Sequence, residues 1–211
     1  VERSGELVGC AFRTPPYKAG LTRMPAAAAA AVADDLRQLF DVLPAIMGPR
    51  ESAGAFAARW LDREAPDPGL GMGIFQLTEV TPPPRPAAGV MRPAGAADLP
   101  LTAAWMEAFG IDADIPIGGE PENGDAVSMA VATGPTANGI RIGFVYTPPE
   151  RRGHGYASVL VGALSQAMLD RGRRFCFLYT DLANPTSNAI YQRLGYRPVC
   201  EVFDFPLAPP E

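Results

Sequence analysis

The stretch Phe144-Val145-Tyr146-Thr147-Pro148-Pro149-Glu150-Arg151-Arg152-Gly153-His154-Gly155-Tyr156-Ala157 decides how this chain is read. It opens on β-formers, the proline pair ends the strand, and two glycines one residue apart permit a tight turn before a helix. Such a turn aims several backbone amides at one point. With the helix dipole and Arg152 beside them, those amides suit phosphate oxygens, so the stretch predicts a pyrophosphate cradle. No Gly-Lys-Ser/Thr follows the glycines, which separates it from a P-loop.

Downstream, Tyr156, Val159, Leu160, Ala163, Leu164, Ala167 and Met168 recur at helical spacing, and Gly172 is placed to stop that helix. Phe175 to Tyr179 is a near-continuous apolar run, expected as a central strand buried on both faces. Asp181 and Asn184 follow it, Pro185 opens a short helix that Gly195 closes, and Val199 to Phe205 alternates as a last strand. Upstream, Ala126 to Thr133 and Ile140 to Thr147 read as a hairpin, with Gly134-Pro135 and Asn138-Gly139 as turn signals. Ala97 to Phe109 reads as a helix and Gly89 to Arg92 as a strand. Between them and the hairpin lie Asp112, Asp114, Glu120, Glu122 and Asp125 with no basic residue, a long acidic loop.

The first part of the chain predicts a strand over Glu6 to Pro16, a short one over Gly20 to Met24, helices over Ala28 to Leu43 and Ala53 to Arg63, and a strand over Met72 to Val80. Thr81-Pro82-Pro83-Pro84-Arg85-Pro86 continues neither helix nor strand and marks a boundary. Strands with helices between them place the fold in the α/β or α+β class. The expected domains are 1–81, a Pro-rich linker at 82–87, and 88–211. One echo joins the halves. Val8 to Phe12 with Thr14-Pro15-Pro16 resembles Ile142 to Tyr146 with Thr147-Pro148-Pro149, and two helices and a strand follow each.

Composition narrows the function. The chain has 211 residues, 47% of them apolar, and a net charge of −5, which suits a globular protein and disfavours nonspecific binding to nucleic acid. No run of about 18 apolar residues predicts a membrane span, and no signal-peptide pattern is found, so a cytoplasmic protein is expected. Three widely spaced cysteines, Cys10, Cys176 and Cys200, and a single histidine, His154, point to neither a disulfide framework nor a metal site.

Arg152-Gly153-His154-Gly155-Tyr156-Ala157 fits the Q/R-x-x-G-x-G/A signature of the GNAT superfamily of acyl-CoA-dependent N-acyltransferases, and Asn184 to Gly195 fits its later Asn and Tyr pattern. The two motifs, in order, make residues 88 to 205 resemble that superfamily. The resemblance implies a mixed, largely antiparallel sheet flanked by helices. The echo and the Thr-Pro-Pro element make the whole resemble its tandem, glycine N-acyltransferase-like branch, with a degenerate GNAT-like first half.

The resemblance also implies roles. Val145, Tyr146 and Thr147 would carry the pantetheine arm of acetyl-CoA along a strand. Arg152, Gly153, His154, Gly155, Tyr156 and Ala157 would hold the pyrophosphate, the glycines because a Cβ would block the phosphates. Asn184 and Ser187 would bond the arm, and Tyr191 would both contact the cofactor and protonate the leaving thiolate. Asp181 is a weak base candidate, with Glu107 weaker still. Each residue also has a plainer reading: Tyr191 as a core aromatic, Asp181 as a turn former, His154 as a solvent or phosphate contact, and the acidic loop as solvated chain rather than a lure for a cationic amine. The expected activity is transfer of an acetyl group from acetyl-CoA to a small-molecule or peptide amine by direct attack, with no metal, in a monomer or homodimer. The alternative is a noncatalytic acyl-CoA sensor or docking module.

Overall fold

The structure is a computed structural model that describes residues 1–13, 17–84, 87, 89–112 and 126–207. The acidic stretch 113–125 and the Thr14-Pro15-Pro16 element lie outside the described residues.

In place of one strand over 6–16, the chain begins with a small hairpin of β1 (Glu2–Arg3) and β2 (Glu6–Leu7), followed separately by β3 (Ala11–Arg13). The backbone breaks between them at Val8 to Cys10, where the Cys10 amide donates to Thr22 Oγ1 instead of to a strand. β4 (Ala19–Leu21) pairs antiparallel with β3. Helix α1 (Ala26–Arg37) starts directly after Pro25, as proline at a helix start permits. It ends at Arg37 rather than Leu43, so Leu39 is exposed while Leu43 enters the core from the loop. β5 (Ala45–Gly48), which the sequence reading does not contain, is four residues long and offers little period-two pattern. α2 (Arg50–Leu61) and β6 (Gly71–Leu77) follow.

Val90 is almost fully exposed and Gly89 to Arg92 forms no strand. Arg92 instead grips Asp98 with two hydrogen bonds of 2.6 Å, and Asp98 also accepts the Gly95 amide at 2.7 Å. This arrangement fixes the entry to α3 (Leu99–Asp112). β7 (Met129–Thr133), β8 (Gly139–Tyr146), α4 (Tyr156–Asp170), β9 (Phe175–Asp181), α5 (Pro185–Arg193) and β10 (Arg197–Pro206) complete the chain.

The strands β3 to β10 bond in the order β3-β4-β5-β10-β6-β9-β8-β7. Pairs β3/β4, β5/β10 and β7/β8 are antiparallel, while β4/β5 and β8/β9, each joined through a helix, are parallel. This is the mixed, mostly antiparallel sheet with helices that the resemblance implies. No described helix is long and apolar enough to cross a membrane, and no described cluster of His, Cys, Asp and Glu is placed to hold a metal.

By compactness the chain forms two units: Val1–Ile74 with Thr180–Asn184 and Val199–Glu211, and Phe75–Tyr179 with Pro185–Pro198. The core of the first gathers Val32, Ala33, Leu43, Ile46, Phe56, Trp60 and Phe205. Within it the buried Ser52 hydroxyl accepts the Met24 amide at 3.0 Å and donates to the Met24 carbonyl at 2.9 Å. The second has a main core of Ile140, Ile142, Val161, Met168, Cys176, Leu178, Tyr191, Leu194 and Tyr196, and a smaller one around Trp105, Met129 and Tyr146.

One element order occurs twice, as β3-β4-α1-β5-α2-β6 and as β7-β8-α4-β9-α5-β10, with matching strand senses in the hairpin and in the helix-joined pair. In this order β8 corresponds to β4. The sequence echo, by contrast, sets β8 against the segment that leads into β3.

Candidate functional site

β8 alternates in the way a strand with one buried face must. Ile140 and Ile142 pack among Val161, Met168, Cys176 and Leu178, and Arg141 and Gly143 face the other way. The strand pairs with β9 at Gly139↔Phe175, Ile140↔Cys176 and Arg141↔Phe177. There the pairing stops, although β8 continues to Tyr146 and β9 runs past Leu178 and Tyr179.

On its other side β8 pairs with β7 at Val131↔Gly143 and next at Met129↔Tyr146, so three steps on β8 oppose two on β7. The extra residue makes a bulge, and Phe144 at φ 51° carries it. A bulky residue in the left-handed region is strained, and its surroundings must hold it there. The Phe109 ring meets Phe144 edge-on at 5.7 Å. Ser128 pins the strand end, donating to the Tyr146 carbonyl at 2.9 Å with its hydroxyl also 2.9 Å from Thr147 Oγ1. Val145 packs against the main core, and Tyr146 is buried against Trp105.

After Thr147-Pro148 a single 3-10 turn, Pro149–Arg151, leads to the glycines. Arg152 Nε donates to the Thr147 carbonyl at 2.9 Å, and its guanidinium stands 6.0 Å from the Tyr146 ring. Gly153 and Gly155 have φ of 79° and 84°. An added Cβ would meet nothing within 4 Å at either position. Glycine is therefore required by backbone conformation, with open space beyond it, and not by a neighbouring wall. His154 folds back over the turn, with Nδ1 2.8 Å from the Arg152 carbonyl and its ring stacked on Tyr156.

Gly155 caps α4 without a side-chain acceptor, and the first turn of the helix holds no acidic residue. The Val159 amide donates to the Gly155 carbonyl, so the amides of Tyr156, Ala157 and Ser158 precede the intrahelical ladder. Their partial positive charge adds to that of the helix dipole at this end of α4.

The other predicted residues are placed as follows. Tyr191 sits on α5, buried, its ring edge-on to Tyr196 at 6.0 Å, and burial pushes its hydroxyl up to about 12. Ser187 is half-buried near the start of α5. Asp181 and Asn184 fall in the first compact unit. Asp181 closes β9, takes the Ala183 amide on Oδ1 at 2.8 Å and accepts the Asn184 amide on its carbonyl, which is the turn-forming use of an aspartate. Cys176 is fully buried, its S–H directed at the Ser165 carbonyl and its thiol pushed by burial up to about 11, so it is no nucleophile.

Two details depart from the sequence reading. The buried line of α4 is Val161, Ser165 and Met168 rather than a purely apolar stripe, because Ser165 meets the Tyr196 hydroxyl at 2.8 Å. β9 buries one face only: Cys176, Leu178 and Thr180 are covered, while Phe175 and Phe177 are partly open and Tyr179 is exposed.

A parallel strand pair that parts after three residues, a bulge on one of the two, and a Gly-rich turn into a helix together form a distinctive arrangement. The fold is that of the GNAT acetyltransferases. A GCN5-related N-acetyltransferase from Kribbella flavida superposes with a TM-score of 0.60 at 18% identity, over 97% of this chain and 89% of its own. One from Sphaerobacter thermophilus gives 0.63 at 16% identity, over 98% of this chain and 79% of its own. A tandem GNAT protein from the clavulanic acid biosynthesis pathway gives 0.54 at 13%, over 100% and 82%. Residues 124–202 also match the family described as FR47-like protein. The sequence matches no curated protein. The bulge at Phe144 and the brace from Ser128 belong to this GNAT-fold site and escape the sequence reading. Gly143, a glycine within a strand pattern, is the one signal that could have pointed to the bulge.

Proposed function

We propose that this chain is an N-acyltransferase that moves an acetyl group from acetyl-CoA to an amine. The observation that carries the reading is the parting of β8 from β9 beyond Arg141↔Phe177, followed in the chain by a turn whose two glycines have positive φ and lead into α4. The residues present fit the cosubstrate. The segment Val145 to Thr147, beyond the last residue of β8 that pairs with β9, can bond an extended pantetheine arm as an added strand would. The turn from Gly153 to Ala157, with Arg152 beside it, offers amides and positive charge to a pyrophosphate. Asn184 and Ser187 as further holders of the arm, and Asp181 as a base, are part of the proposal and rest on the sequence motif.

Acetyl-CoA supplies an activated acyl group as a thioester. A neutral amine attacks its carbonyl, the C–N bond forms, the C–S bond breaks, and the thiolate takes one proton while the amine loses one. Tyr191 is the proton donor. With its hydroxyl near 12, it is protonated at any working pH, and full transfer to a thiolate of pKa about 8.5 is uphill. Its role therefore begins as a hydrogen bond to the departing sulfur that strengthens as charge develops there.

The repeated element order and the likeness to a tandem GNAT protein support a duplicated architecture with one working half. In the first half the Met24 amide, in the connection between β4 and α1, is already taken by the Ser52 hydroxyl, and Gly20 is the one glycine where the second half has two, which supports its being degenerate.

Calorimetry with acetyl-CoA and CoA tests the site, and a folded protein that binds neither would end the proposal. Release of free thiol across an amine panel then tests turnover. Binding without release on any amine would favour an acyl-CoA sensor.

A further inference from the structure

The segment from Val145 to Thr147 lies between two interruptions. On one side stands the bulge, with Phe144 at φ 51°. On the other, Pro148 and Pro149 have no N–H with which to continue a ladder. Pairing with β9 has already stopped at Arg141, and the last partner on β7 is Met129, opposite Tyr146. Side chains supply the hold that the ladder does not.

Ser128, the residue before β7, is the first of them. Its hydroxyl donates to the Tyr146 carbonyl at 2.9 Å and lies 2.9 Å from Thr147 Oγ1. A serine hydroxyl has one proton, and here the carbonyl takes it, so Thr147 is the donor in the second contact. The two bonds form a relay from Thr147 through Ser128 to Tyr146. Arg152 is the second, its Nε donating to the Thr147 carbonyl at 2.9 Å from the side of the turn. The relay holds the Tyr146 carbonyl toward β7. Backbone groups alternate in direction along a strand, so those of Val145 and Thr147 point away from β7.

We propose that Ser128 is a positioning residue for the pantetheine arm, an inference that rests on the acyl-transfer reading. With Tyr146 tied toward β7, the Val145 N–H and C=O and the Thr147 N–H are set in advance on the side where the arm adds as a strand. Ser128 acts through Tyr146 and Thr147 and not on the cosubstrate itself. Without its hydroxyl the segment is free to rotate between the bulge and the prolines, and the arm must order it on binding. Arg152 ties the end next to the turn independently of Ser128, so contacts of the turn with a diphosphate do not depend on the serine.

The test is calorimetry with two probes: CoA, and 3′-phosphoadenosine 5′-diphosphate, which has the nucleotide end without the arm. Wild type is compared with Ser128→Ala, Ser128→Val and Ser128→Thr. Ser128 is half-buried, so all three variants should stay folded, which urea unfolding checks. Ser128→Ala and Ser128→Val are expected to weaken CoA about ten-fold, as one lost hydrogen bond implies, and to leave the diphosphate within about two-fold of wild type. Ser128→Thr keeps the hydroxyl and should bind both probes as wild type does. Valine has the shape of threonine without the hydroxyl, so the difference between those two variants reads the hydroxyl alone. CoA affinity unchanged in Ser128→Ala and Ser128→Val would overturn the proposal and leave the acyl-transfer reading standing. So would an equal loss for both probes, which marks a merely structural serine. A wild-type protein that binds the diphosphate as tightly as CoA holds no arm, and that too would overturn it. A folded wild type that binds neither probe would remove the acyl-transfer reading itself, and the positioning role with it.

Discussion

The Ser165 hydroxyl on α4 lies 2.8 Å from the Tyr196 hydroxyl, and both side chains are wholly buried. The bond joins the helix that follows the glycine turn to the chain just after α5, thirty-one residues on. It holds still the two elements that carry the proposed cradle and the proposed acid.

Removing one partner leaves the other buried and unpaired, so the two losses should not add. Ser165→Ala leaves a buried phenol unpaired and is expected to lower stability by about 1–3 kcal/mol, with Tyr196→Phe similar. The double variant should cost less than the sum of the two, by about 1 kcal/mol or more. Denaturant unfolding of the four proteins closes this cycle, and strict additivity would show that the bond contributes nothing.

Tyr191→Phe keeps the ring-on-ring contact with Tyr196 and removes only the hydroxyl. Turnover is expected to fall by about ten- to a thousand-fold, within the range of one lost proton donor or hydrogen bond to developing charge. Acetyl-CoA affinity should change little. Unchanged turnover in thiol-release kinetics would leave Tyr191 a core aromatic.

The same burial makes a prediction in pH. Tyr191 ionises near 12 in the folded chain against about 10 when unfolded. Its neutral form is favoured by folding, so its contribution is full below pH 10 and is lost as pH rises from about 10 through about 12. The loss amounts to about 2–3 kcal/mol for this group. Urea unfolding at pH 8 and pH 11 should show the fall, and Tyr191→Phe should make it shallower.

Two glycines with positive φ should respond differently to alanine. Gly155 has nothing within 4 Å of an added Cβ, so Gly155→Ala meets backbone strain alone, about 1–2 kcal/mol. It should also weaken acetyl-CoA binding, because it lies in the turn. Gly195 at φ 101° would place its Cβ 2.8 Å from the Glu79 carbonyl oxygen. Gly195→Ala adds overpacking to strain and is expected to cost about 3 kcal/mol or more. Thermal unfolding of the two variants gives the order, and a reversal would contradict the geometry.

What the sequence by itself determined is local. Two prolines, two glycines and an amphipathic run locate the end of β8, the turn and α4, because strand ending, positive φ and helix nucleation depend on neighbours along the chain. Asn-Gly and Gly-Pro signals gave the β7–β8 hairpin, and Pro185 with Gly195 framed α5 for the same reason.

Only the tertiary structure decided the rest, because those features depend on residues distant in sequence. Whether β9 is buried on both faces depends on what packs against it, and its aromatic face is partly open. Nothing local singles out Ser165; its burial follows from Tyr196, thirty-one residues on. The bulge at Phe144 is a mismatch of register with β7, invisible in β8 alone. Ser128 carries no mark in the sequence until the pairing of β7 with β8 brings its hydroxyl to the Tyr146 carbonyl, eighteen residues on.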